Sequence, residues 1–226
     1  MRNALATLLG LLTVTTIVLV PSTAHAQERD PVLFVHGYSG SASNWDSMVD
    51  DFVADGWDPA DLYPISYDYE ASNKETAEVI EGEVDAILAE TGRSQVDIVS
   101  HSMGALSSRW YLQFLDGYEN VDDYASLAGP NQGSEVRLPC VATTPSCQEV
   151  VVGSDFLAEL NGADVTPGDV SITTFRSWCD FVMRPTDTVA IPGADNRTVG
   201  CVTHTGFLSD ADVSAGVREA LGGSGA

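Results

Sequence analysis

Apolar positions along this chain change period several times, and a glycine, proline or capping residue marks most of the changes. Pro31-Val-Leu-Phe-Val-His36 is a short apolar run that predicts a buried strand. Trp45, Met48, Val49, Phe52 and Val53 then recur at helical spacing, predicting a helix over 44–55 that Gly56 stops. Leu62 to Tyr69 reads as a second strand. Ser72 with Glu75 has the form of a capping box, opening a helix whose Ile80, Val84, Ile87 and Leu88 face inward until Gly92. Val96 and Ile98 alternate into Ser100-His101-Ser102-Met103-Gly104, after which Leu106, Trp110 and Phe114 fall at steps of four. Tyr124 to Leu127 predicts a strand that ends at Ala128-Gly129-Pro130. The stretch from Asn131 to Gly168 is the least regular, with one short helix near 155–160. Two more strands, Val170–Phe175 and Thr198–Val202, precede a last helix capped by Ser209 that buries Val213, Val217 and Leu221. Strands alternating with helices throughout predict an α/β protein, its mostly parallel six-stranded sheet flanked by helices.

The first 26 residues stand apart from this pattern. Arg2, an apolar run from Leu5 to Val20 and the small-x-small site Ala24-His25-Ala26 predict a secretory signal peptide, with 27–226 forming one domain. The apolar run is shorter than the roughly 20 residues a membrane span requires, and Pro21 follows it. The expected product is therefore exported and extracellular, without a stable membrane anchor. Two hundred residues suit one core and leave little room for a separate lid domain. With Arg2 removed, nine basic residues face 33 acidic ones, a net charge of −24, and Lys74 is the single lysine. Such a surface repels nucleic-acid phosphates, and a monomer is expected. All four cysteines (Cys140, Cys147, Cys179, Cys201) lie in the second half. In an exported chain an even count predicts two disulfides. Of three possible pairings, Cys140–Cys147 would close a local loop and Cys179–Cys201 would tie two loops together. No CxxC occurs and the histidines are not spaced as zinc ligands, so no metal site is expected.

The segment around Ser102 carries the chemistry. A serine between small residues at a strand-to-helix turn has the form of a nucleophile elbow. Positions two before and two after must be small for strand and helix to approach, and helix N–H groups then lie beside the hydroxyl. A serine hydroxyl needs a base. His101 adjoins Ser102 and is directed away from it, His36 precedes a glycine-rich loop it would help fix, and His204 alone follows Ser102. An acid between the two should lie just after a strand. Asp180 meets that requirement, Asp187 is the runner-up, and Asp169 precedes its strand. Donors for a carbonyl oxygen turning negative are expected from the N–H groups of Tyr38 and Met103.

With these residues the chain resembles the small secreted bacterial lipases of the minimal α/β-hydrolase type, the class 2 triacylglycerol lipases. The matching segments run in order from Val35-His36-Gly37-Tyr38 through Ser100–Gly104, Leu127–Asn131, Ser154–Leu157 and Asp180 to His204-Thr205-Gly206. The departures are Ser100 in place of glycine, and Gln132 where related chains often carry histidine. The resemblance implies a sheet ordered 4-3-5-6-7-8 in hydrolase strand naming, with Ser102, Asp180 and His204 as triad. It also implies hydrolysis of acylglycerols or other esters without a cofactor. The same triad would serve a short-chain esterase or an acyltransferase.

Overall fold

The computed structural model describes residues 29–135 and 139–222, so the expected leader, 1–26, lies outside the described residues. Six strands form one wholly parallel sheet: β1 (Val32–Val35), β2 (Leu62–Pro64), β3 (Val96–His101), β4 (Val121–Leu127), β5 (Ser171–Arg176) and β6 (Asp195–Thr198). Their spatial order is β2-β1-β3-β4-β5-β6, the order expected of the resemblance. Six helices connect or pack on them: α1 (Asp46–Ala54), α2 (Asn73–Thr91), α3 (Gly104–Phe114), α4 (Pro145–Glu149), α5 (Asp155–Gly162) and α6 (Ala211–Gly222). Among the described residues no separate lid domain is evident.

Because central parallel strands are covered on both faces, their side chains divide alternately between two cores. Val32 and Phe34 pack with Trp45, Met48 and Phe52 around α1, and with Val213 and Val217 of α6. Leu33, Val35 and Ile98 point the other way, onto Ile80 and Val84 of α2 and Leu106 and Tyr111 of α3. Each of these side chains is buried.

Several boundaries differ from the expected ones, each for a local reason. The second strand stops at Pro64, whose missing N–H suits only an edge position. Past it, the Ile65 N–H still donates to the Phe34 carbonyl (3.2 Å), and the Tyr67 hydroxyl then donates to the His36 carbonyl. The fourth strand begins three residues early: Asp122 and Asp123 interrupt the apolar pattern, and the pairing with β3 shifts register across them without ending the strand. The last strand is Asp195–Thr198 rather than 198–202. It is a polar edge strand paired with β5 through Thr173–Arg176, so no apolar alternation reveals it. The final helix is capped by Asp210, which accepts from the N–H groups of Asp212 (3.1 Å) and Val213 (3.0 Å), whereas Ser209 closes a preceding 3-10 turn. At α2, Ser72 accepts from Lys74 N–H (3.2 Å) without completing a capping box through Glu75. A carboxylate still reaches this helix start: Glu149 accepts from the Ser72 hydroxyl (2.6 Å) and Asn73 N–H (2.7 Å). The irregular stretch is thereby fastened to α2 through α4.

The tightest approach in the fold is where α3 leaves β3. A Cβ on Gly104 would collide with the His36 carbonyl and lie 2.8 Å from the Val35 carbonyl. Alanine is favoured over glycine within helices by about 1 kcal/mol, but here the obstacle is backbone that cannot turn aside. Gly104→Ala is expected to destabilise the protein by roughly 2 kcal/mol or more, read from urea unfolding midpoints. A stabilised variant would contradict the packing.

Candidate active site

Ser102 occupies the turn itself. Its φ is +53°, in the left-handed region that side chains rarely adopt. Its N–H donates to the Leu127 carbonyl (2.9 Å), which holds the turn against the end of β4. The loop after β1 passes close by: a Cβ on Gly37 would lie 2.7 Å from Ser102 Cβ. That approach brings Gly37 beside the Ser102 side chain, and Met103 stands at the start of α3. A cavity of about 120 Å³ opens here, lined by His36, Gly37, Tyr38, Ser102 and His204 among others. Ser100, the departure from glycine, is fully buried, and its hydroxyl lies 2.9 Å from the Tyr124 hydroxyl. A tyrosine on β4 thus supplies the partner that makes a serine acceptable at this crowded position.

The three residues named from sequence come together. His204 Nε2 lies 2.9 Å from Ser102 Oγ, and His204 Nδ1 lies 2.8 Å from Asp180 Oδ2. A carboxylate accepts only, so Nδ1 carries the proton and Nε2 is free to take one from the serine. Asp180 is 1 % exposed. Burial by itself would raise its carboxyl, but the bonds from His204 and from the N–H groups of Met183 and Val182 outweigh it and hold the group below its ordinary value. Those two N–H groups donate to Oδ1 at 3.0 and 2.8 Å. The other aspartates considered are elsewhere: Asp187 is exposed and paired with Arg176 (2.5 Å), and Asp169 precedes β5.

Two loops must agree for this arrangement to hold, one after β5 and one after β6. Cys179 and Cys201 are bonded across them, and Cys140 is bonded to Cys147 within the irregular stretch. Buried Ser177 adds three contacts that nothing in the sequence pattern signals. Its hydroxyl donates to the Gly200 carbonyl (2.7 Å) and accepts from the N–H groups of Val202 (2.9 Å) and Cys179 (3.1 Å). His101, directed away from the serine, has its own position: Nε2 donates to the His204 carbonyl (2.8 Å), with the two rings 4.8 Å apart. Burial first, then the neighbouring His204, lowers its pKa to about 3, so it is neutral at neutral pH. His36 is buried as well, with Nδ1 donating to the Gly37 carbonyl (2.7 Å) and its ring stacked on Tyr67.

Comparison with known proteins places the chain in a family. Residues 29–198 match the model of the family described as Lipase (class 2). Aspergillus fumigatus lipase B superposes with a TM-score of 0.73 at 20 % identity, over 86 % of this chain and 52 % of the fungal one, so this chain spans about half that protein. A Bacillus licheniformis lipase in mature form gives 0.72 at 17 % identity, covering 84 % and 91 % of the two chains. A phospholipase of Legionella pneumophila gives 0.63 at 15 % identity, covering 84 % and 58 %. At such identities the solved structures share the fold alone.

Two measurements follow from the loop geometry. Replacing Cys179 and Cys201 together by serine should cost about 3 kcal/mol of unfolding free energy, while the shorter Cys140–Cys147 loop should contribute less. His101 is neutral when folded and protonates near its ordinary value of 6.5 when unfolded. Below that value the unfolded state binds the extra proton, so His101 removes stability as pH falls from 6.5 toward about 3. His101→Gln should flatten the fall of Tm across that window; an unchanged slope would remove His101 from the account.

Proposed function

Because the chain belongs to the class 2 lipase family and is a serine ester hydrolase, we propose that Ser102 is its nucleophile, His204 its general base and Asp180 the acid that orients His204 and stabilises its protonated form. The reading is supported above all by the unbroken chain of contacts from Asp180 through His204 to Ser102, at 2.8 and 2.9 Å, on a strained strand-to-helix turn. An apolar substrate ester places its carbonyl carbon against Ser102 Oγ. As Oγ bonds to that carbon, its proton passes to His204 Nε2, and the carbonyl electron pair moves onto oxygen. The N–H groups of Tyr38 and Met103 receive the oxyanion. Collapse of the tetrahedral species breaks the bond to the alcohol oxygen, which takes the proton from Nε2 and leaves an acyl group on Ser102. Water, deprotonated by the same nitrogen, then repeats the sequence and releases the carboxylic acid.

Acylglycerols are the proposed substrates, and no step requires a cofactor. Export with removal of 1–26 accords with the two disulfides, and among the described residues no helix is long and apolar enough to cross a membrane.

Titration with a p-nitrophenyl phosphonate should release one equivalent of p-nitrophenolate and add the phosphonyl mass to the peptide holding Ser102. Ser102→Ala should lose both and lower kcat by about 10⁴-fold or more. Asp180→Asn should cost roughly 10⁴-fold, and adding it to Ser102→Ala should change little further. Labelling at another residue, or full activity in Asp180→Asn with loss in Asp187→Asn, would reassign the site.

A further inference from the structure

The most exposed large hydrophobic side chains among the described residues are Phe181 (72 %), Trp178 (64 %) and Val152 (48 %). They are not scattered. Trp178 and Phe181 flank Cys179-Asp180 in the loop leaving the carboxyl end of β5, the sheet edge that also carries Ser102. Val152 follows the residue bridged to Ser134, and the Ser134 hydroxyl donates to the Val182 carbonyl in that same loop (3.1 Å).

Nor can the rings easily turn inward. The loop is fastened by the Cys179–Cys201 bond, by Ser177 and by the N–H groups held on Asp180. Arg184 bridges the two aromatic residues. Its guanidinium lies 4.8 Å from the Phe181 ring centre, and Nη2 donates to the Trp178 carbonyl (3.3 Å). A rigid loop that keeps two aromatic rings in water maintains an unfavourable exposed surface, which a partner would relieve.

Charge identifies the partner. The chain carries 33 acidic and 10 basic residues. Yet between Ser177 and Thr186 the one carboxylate is Asp180, buried in the site, while Arg184 adds a cation. The acids bordering the loop are Asp187, paired with Arg176, and Glu135, whose N–H donates to the Arg184 carbonyl. A body of this net charge is repelled by a second copy of itself and by any surface bearing fatty carboxylates. This face approaches such a surface with apolar rings first and no exposed carboxylate of its own loop. Tryptophan also prefers the boundary between hydrocarbon and water. We infer that Trp178 and Phe181, extended by Val152, form the face on which the protein docks to a lipid–water surface, bringing the mouth of the Ser102 cavity to it. The proposed ester hydrolysis explains what docking delivers; the docking itself does not depend on it.

Tryptophan placement makes the test direct. Trp45, Trp57 and Trp110 are each 7 % exposed or less, so Trp178 dominates any contact quenching. The mature chain carrying Ser102→Ala, which cannot consume lipid, is mixed with phosphatidylcholine vesicles bearing brominated acyl chains. Its fluorescence should be quenched relative to unbrominated vesicles. Phe181→Ser in that background should weaken the partition, and Trp178→Ser with Phe181→Ser should lower co-sedimentation by about tenfold or more, with the urea midpoint unchanged. In the active protein the same pair should lower the ratio of turnover on emulsified triglyceride to turnover on a dissolved ester by roughly the same factor. Absence of quenching, vesicle binding indifferent to the pair, or a dimer that the pair converts to monomer would each overturn the docking face. Binding without a titratable serine would instead overturn the proposed chemistry and leave the docking face standing.

Discussion

Everything in this protein is arranged around one steric constraint, the turn by which β3 becomes α3. Ser102 is held at φ +53° there, with Gly104 pressed against the backbone of β1 and Gly37 against Ser102 itself. A side chain in that region of backbone space costs of order 1–3 kcal/mol, and it persists only where the surroundings over-determine it. Here they do. The Ser102 N–H is bound to the end of β4, Ser100 is bound to Tyr124, and the buried apolar residues of α3 fix the helix on the sheet. The strained hydroxyl is the one that meets His204, so the packing of the sheet and the chemistry proposed for Ser102 share a single cause.

The partners of Ser102 come from the far side of the sheet and depend on weaker elements. β6 is a polar edge strand, and the loops after β5 and β6 reach the core through Met183, Val202 and Phe207. Their alignment rests on a covalent bond worth about 3 kcal/mol and on hydrogen bonds, of about 1 kcal/mol each, gathered by Ser177 and Asp180. His101 supports the arrangement from beneath as a neutral donor. The same bonds that orient Asp180 also hold Trp178 and Phe181 outward. One rigid loop therefore serves two needs, a buried carboxylate on its inner side and an apolar face on its outer side. On a surface otherwise dominated by carboxylates, that face is chemically distinct, and it lies at the edge where a substrate must enter.

Fold class and most helices were legible in the sequence because parallel strands buried on both faces and amphipathic helices must repeat apolar residues at fixed periods, while strand order came only with the family resemblance. Runs such as Val32–Val35 and the Ile80–Val84–Ile87 face announce themselves without reference to any partner. The elbow was legible for a similar reason: its small residues are demanded by local crowding within five positions. Chain order and the few histidines then pointed to His204, and position after a strand to Asp180.

What the tertiary structure alone decided are the contacts between residues distant in sequence that carry no periodic mark. The polar edge strand at Asp195–Thr198, the Glu149 carboxylate at the start of α2 and the Ser177 bridge all join segments whose proximity no local pattern encodes. Arg109 is the clearest case. It looks like an ordinary surface residue of α3, yet it is fully buried, donating to the Asn131 carbonyl and to Asn161 Oδ1 at 2.9 Å each. Hydrophobic burial is written along the chain as a period, whereas the satisfaction of a buried polar group depends on which atom folding brings opposite it.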